Sequence, residues 1–253
     1  MDDHAHRSEQ ERNRPKWQGV LVHFYTALGV VCALGAAVAI ATERYPNAFF
    51  WLLLAAIIDG SDGTLARKFS VERTLPEVDG RRLDDIVDYL TYSFLPLFML
   101  GHAGWLPHPP WLWVSVALLA SLFAFCNVSA KQDREGFFVG FPSYWNVVAF
   151  YTAIWLQGYG AVVLLIIVLL LSLLSVLPVR FVYPAKAPRW RPWFLWGSVA
   201  WIVTLLGLLL EFRADGVVSD WLLCLSLIYP VTYLALSVYL DIRFRGGGEQ
   251  PAW

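Results

Sequence analysis

The chain has 253 residues, of which 58% are hydrophobic and only 15% charged, and its formal net charge is −1. A soluble domain carries about 25% charged residues, and a disordered chain cannot expose so much apolar surface, so both classes are excluded. There is no basic excess to draw nucleic acid, and what remains is an all-α, polytopic integral membrane protein.

A crossing helix needs ~20 mostly apolar residues. Residues 1–17 read as a cytoplasmic N-terminal segment, and the first span follows from Gln18 to Thr42. Its apolar run is too long for a signal peptide. Further spans are expected over Pro46–Ala66, Gly80–Gly101, Pro110–Ala130 and Pro142–Leu156. A tight turn at Gln157–Gly160 leads to Ala161–Leu177, Trp193–Leu210 and Val217–Leu240, the last with a kink at Pro230. Every connection is short, so residues 1–253 form a single transmembrane domain.

The positive-inside rule tests this division. With eight alternating spans, all but two of the nineteen Lys and Arg residues fall on one side, and only Arg44 and Arg213 on the other. Both termini are therefore expected in the cytoplasm. Arg12, Arg14 and Lys16, beside Trp17, would rest on anionic lipid headgroups or serve simply as a topology signal. The three cysteines form no CxxC and the five histidines no HExxH, so neither type signals a metal site.

Acids inside spans are costly and mark function. The second span ends in Asp59-Gly60-Ser61-Asp62-Gly63-Thr64-Leu65-Ala66-Arg67, and the third begins Gly80-Arg81-Arg82-Leu83-Asp84-Asp85-Ile86-Val87-Asp88. Asp59 and Asp62 are i, i+3; Asp84 and Asp88 are i, i+4; each pair shares a helix face. Asp85 is rotated by about 100° and is the least well aimed. Two antiparallel helices would bring four carboxylates together. Four such anions repel unless cations intervene. Hard divalent ions, Mg²⁺ or Mn²⁺, suit oxygen ligands, and two of them can clamp a pyrophosphate. Gly63 and Ala66 leave room for a ligand or a neighbouring helix, Arg67 offers a fork for phosphate, and Gly80 opens a helix whose N–H groups favour an anion.

The order Asp59-x2-Asp62-Gly63-x2-Ala66-Arg67 … Gly80-x3-Asp84-x3-Asp88 resembles the signature of the CDP-alcohol phosphotransferase family. The connection 68–79 is longer than the family's usual one, which is similar to the bacterial phosphatidylcholine synthase branch. Asp88-Tyr89-Leu90-Thr91-Tyr92, Gly140-Phe141-Pro142-Ser143-Tyr144-Trp145-Asn146 and Arg180-Phe181-Val182-Tyr183-Pro184 resemble the same branch. The resemblance implies transfer of the phosphatidyl group of CDP-diacylglycerol to choline, with release of CMP. It implies Asp59, Asp62, Asp84 and Asp88 as ligands of two Mn²⁺ or Mg²⁺ ions, with Asp88 also the general base. Asp62, Gly63, Ala66, Arg67 and Gly80 would hold the CDP portion. A homodimer in the bacterial inner membrane is implied too, and the partition of Lys and Arg puts the site at the cytoplasmic side.

A quaternary ammonium offers no hydrogen bond, so aromatic faces or carboxylates must hold choline. Tyr92, Tyr144, Trp145 and Asn146 are the candidates, while Glu72, Glu77 and Asp79 of the long connection would close the site or attract the cation. The nearest rival is another transferase of the family, such as a phosphatidylserine synthase. A phosphorylated acceptor would call on Lys131, Arg134, Arg180 or Lys186. A cation carrier is the rival from another class, but its site is expected at mid-membrane.

Overall fold

The computed structural model describes residues 15–127, 131–132, 137–182 and 191–245. Arg12, Arg14, Arg134, Tyr183, Pro184 and Lys186, named above, lie outside the described residues. The chain separates into two compact units, Met1–Met99 and Leu100–Trp253.

In the first unit, α1 (Lys16–Ala41) and α2 (Tyr45–Phe69) pack along their length. The buried face of α1 is built mostly from small residues, Gly19, Thr26, Gly29, Cys32, Ala33, Ala36 and Ala39, with Val22 and Ile40 the larger members. Small residues let helix backbones approach where lipid supplies no hydrophobic drive between helices. Gly29 shows the need: a Cβ there would collide with Cγ1 of Val87 on a later helix. The opposite face carries large exposed side chains, Leu34 at 65% among them. Such a face would not persist in water and fits acyl chains.

α2 runs past its expected end at Ala66 to Phe69, and stops where Ser70 turns left-handed (φ 52°). A single turn, α3 (Val71–Thr74), precedes α4 (Gly80–Asp88). Asp79 caps α4 by accepting from the Arg82 N–H at 3.1 Å. A π-helical turn over Tyr89–Phe94 then joins α4 to α5 (Leu95–His102). This wide turn was not expected, because nothing in the spacing of apolar residues marks it. Thr91 donates to the Val87 carbonyl at 3.0 Å within it.

The second unit holds α6 (Pro110–Cys126), α7 (Trp145–Ile154), α8 (Ala161–Val176), α9 (Arg191–Asp215) and α10 (Asp220–Arg245). α10 continues through Pro230, and the expected tight turn is a 3₁₀ turn, Leu156–Tyr159. The all-α expectation holds, with one small addition. A small antiparallel sheet joins β1 (Lys131–Gln132), β2 (Phe137–Val139) and β3 (Arg180–Val182) in that order. Phe138 pairs with both Lys131 and Phe181. Aromatic and β-branched residues favour this pairing. α6 ends at Cys126 rather than Ala130, because Asn127 is extended. α7 starts at Trp145 rather than Pro142, behind a left-handed Ser143 (φ 56°).

Buried polar pairs tie these helices. Trp145 donates its indole N–H to Ser121 at 2.6 Å, and the Tyr151 hydroxyl meets the Ser226 Oγ at 2.9 Å. Tyr229 is stacked between Trp193 and Trp201, with centroids 5.5 and 5.6 Å away. α1, α2, α9 and α10 are each long and apolar enough to cross a membrane.

Candidate active site

The signature lies wholly within the first unit. Asp59 stands on α2, Asp84 and Asp88 on α4, and one carboxylate oxygen of each lies within 4.8 Å of the others. The i, i+4 spacing on α4 aims its two acids along one face. All three are half-buried, and among the described residues they form the group close enough to share a cation. Asp85, a step around the helix, is outside the group.

Asp62 goes elsewhere. It is 6% exposed, and its Oδ2 accepts from the Thr26 hydroxyl of α1 at 2.7 Å. The two acids of α2 are thus held by hydroxyls from different helices, for Asp59 Oδ2 accepts from the Tyr92 hydroxyl at 2.7 Å. The close group holds three acids where the sequence led us to expect four. The donor set still fits a hard divalent ion: carboxylate oxygens, clustered and partly shielded from water.

Around this group, the Arg67 guanidinium lies over Gly63, whose absent Cβ would be 3.5 Å from Nη1. Arg67 donates to Thr64 Oγ1 at 3.2 Å. Ala66, Arg67, Ser70, Val71, Glu72 and Arg73 line a cavity of about 310 Å³. Gly80 has a neighbour that was not foreseen: a Cβ there would meet His23 Cε1 of α1 at 2.6 Å. His23 and Thr26 lie one turn apart on α1, so a third helix borders the site. The only signal for them in the sequence is a polar residue inside an apolar run.

Two acids of the long connection have structural work. Glu77 accepts from Lys16 at 2.8 Å, which holds its exposed carboxyl below the usual carboxylate range. Asp79 caps α4 and pairs with Arg82 Nε at 3.2 Å. Of the aromatic candidates, Tyr92 reaches a site carboxylate. Tyr144, Trp145 and Asn146 belong to the second unit. There Tyr144 is 40% exposed and Trp145 fully buried. Asn146 Oδ1 accepts from the Val147 N–H at 2.9 Å.

Residues 20–232 match the family model for CDP-alcohol phosphatidyltransferase. The chain is 39% identical over 204 residues to the phosphatidylcholine synthase of Pseudomonas aeruginosa, covering 80% of this chain and 84% of that one. It is 34% identical over 214 residues to the phosphatidylcholine synthase of Rhizobium johnstonii, covering 82% and 84%. It is 38% identical over 195 residues to that of Rhizobium meliloti, covering 76% and 79%.

Proposed function

The chain belongs to the CDP-alcohol phosphatidyltransferase family, and from that premise we infer its reaction: CDP-diacylglycerol plus choline gives phosphatidylcholine plus CMP. The observation that carries the chemistry is the meeting of Asp59, Asp84 and Asp88 within 4.8 Å. The names of the relatives supply the acceptor.

We assign Asp59, Asp62, Asp84 and Asp88 to two Mn²⁺ or Mg²⁺ ions, which when bound neutralise the pyrophosphate and the departing CMP. Gly63, Ala66, Arg67 and Gly80, with Asp62, hold the CDP portion. Arg67 supplies the phosphate-binding fork, and Gly63 leaves space beneath it. Asp88 takes the choline hydroxyl proton as that oxygen attacks the β-phosphorus. The new P–O bond forms as the bond to the α-phosphate oxygen breaks, and CMP leaves with that oxygen.

Choline is assigned to aromatic faces, Tyr92 first, because its hydroxyl already reaches Asp59. Tyr144 and Asn146 are the further candidates, and Trp145, fully buried, is the least available.

We further propose one transmembrane domain with eight crossings, both termini in the cytoplasm, the site at the cytoplasmic face of a bacterial inner membrane, and a homodimer. The partition of Lys and Arg supports the topology. The ten residues of α7 rise only about 15 Å, half a bilayer core. The fifth crossing therefore needs the stretch around Phe141 and Ser143, both buried, and the 3₁₀ turn. Non-helical backbone is tolerated at membrane depth where protein covers it. A reporter fused at the C-terminus and read as periplasmic would overturn the topology.

The activity test is purified enzyme with CDP-diacylglycerol, divalent cation and each labelled alcohol. Product with choline is expected. Product with serine and none with choline would move the chain to another branch, and cation flux without CMP release would refute an enzyme.

A further inference from the structure

We propose that Thr26 on α1 is a positioning residue that fixes the carboxylate of Asp62 for cation binding; this rests on the reading of Asp62 as a ligand given above.

Thr26 is 7% exposed and Asp62 6%. The hydroxyl has one proton and two acceptors within range, Asp62 Oδ2 at 2.7 Å and the Val22 carbonyl at 3.4 Å. The shorter, charge-assisted contact takes it. A threonine inside an apolar helix usually turns its hydroxyl back onto its own helix, as Thr91 and Thr152 do here. Thr26 instead spends its proton on another helix. With Oδ2 held, the carboxylate is fixed in one rotamer, and no ligand has to restrain it on arrival. Preorganised ligands bind with a smaller ordering cost. The two α2 acids are each steered this way, Asp59 by Tyr92 and Asp62 by Thr26.

A neighbouring bond separates positioning from simple packing. Tyr25 on α1 meets Ser61 on α2 at 2.7 Å, joining the same two helices without touching a carboxylate.

The test is Mn²⁺ binding to the full-length protein in detergent, read by electron paramagnetic resonance of the free ion without substrate, alongside thermal melting. Hydrogen bonds to charged groups are worth enough to predict about a tenfold or greater loss of Mn²⁺ affinity in Thr26→Val. Thr26→Ser should restore binding to within about twofold, because the hydroxyl is what counts. Tyr25→Phe should bind as wild type. Should Thr26→Val fail to fold, Thr26→Ala takes its place in the series. Wild-type affinity in Thr26→Val, with loss in Asp62→Asn, overturns the proposal and leaves Asp62 a ligand. Equal losses in Thr26→Val and Tyr25→Phe overturn it in favour of helix packing. Wild-type affinity in Asp62→Asn overturns the reading of Asp62 itself.

Discussion

Replacing Gly80 by alanine drives a methyl group into the His23 ring. The new Cβ would lie 2.6 Å from Cε1 and 3.2 Å from Nδ1. Carbon pairs settle at about 3.5–4.0 Å, so the ring or the start of α4 must give way by about 1 Å. The ring's Nε2 is buried with no hydrogen-bond partner among the described residues, so packing alone, and no hydrogen bond, resists that shift. Overpacking of this kind costs about 1–3 kcal/mol. Alanine recovers at most about 1 kcal/mol of helix propensity. With that recovery in full, the net loss of about 0–2 kcal/mol lowers the melting temperature by up to roughly 8 °C for a chain of this size. The assay is thermal melting in detergent of Gly80→Ala, His23→Ala and the double variant. Relief of the clash makes the two strongly non-additive, with a coupling of about 1–3 kcal/mol. Strict additivity would refute the packing account of this glycine. CMP affinity of the double variant gives a second result: a stable protein that binds CMP poorly shows that the nucleotide needs the bare backbone too.

Asp88→Asn should keep its fold and CMP binding yet lose turnover by about 10²-fold or more; near-normal turnover removes Asp88 as the base. Chelation with EDTA should abolish activity, and Mn²⁺ or Mg²⁺ should restore it, because three carboxylates within 4.8 Å repel without cations; activity in excess chelator defeats the cation model. Tyr92→Phe removes the donor to Asp59 but keeps the ring. Half-maximal activity should then need about tenfold more Mn²⁺ or beyond, with the KM for choline unchanged, while Tyr92→Leu should raise that KM as well. An unaltered Mn²⁺ requirement in Tyr92→Phe would show that the hydroxyl does not steer Asp59.

Much of the site is legible in the sequence. Asp59, Asp84 and Asp88 converge because helical periodicity fixes which side chains share a face, and two facing helices then do the rest. Periodicity says nothing about the third partner, so the turning of Asp62 toward Thr26 was hidden. His23 was hidden likewise, since Gly80 looked sufficient as a helix opening for an anion. The same limit applies to Glu77 and Asp79: their charge was visible, but not their engagement by Lys16 and Arg82. In the second unit the helices were located by hydropathy, while the short sheet was not. Its strands are two or three residues long, too brief for alternation to register.

The wide turn at Tyr89–Phe94 makes chain length there as important as chemistry. It holds one residue more per loop of backbone than an ordinary helix would. Deleting a single residue between Tyr89 and Thr91 would let the helix run on regularly, with hydropathy scarcely altered. Everything downstream would keep nearly its present phase, because the wide turn absorbs the extra residue, but within the turn Tyr92 would move around the helix and its hydroxyl would leave Asp59. Insertions and deletions at this point should therefore be far more damaging than conservative exchanges of the same residues.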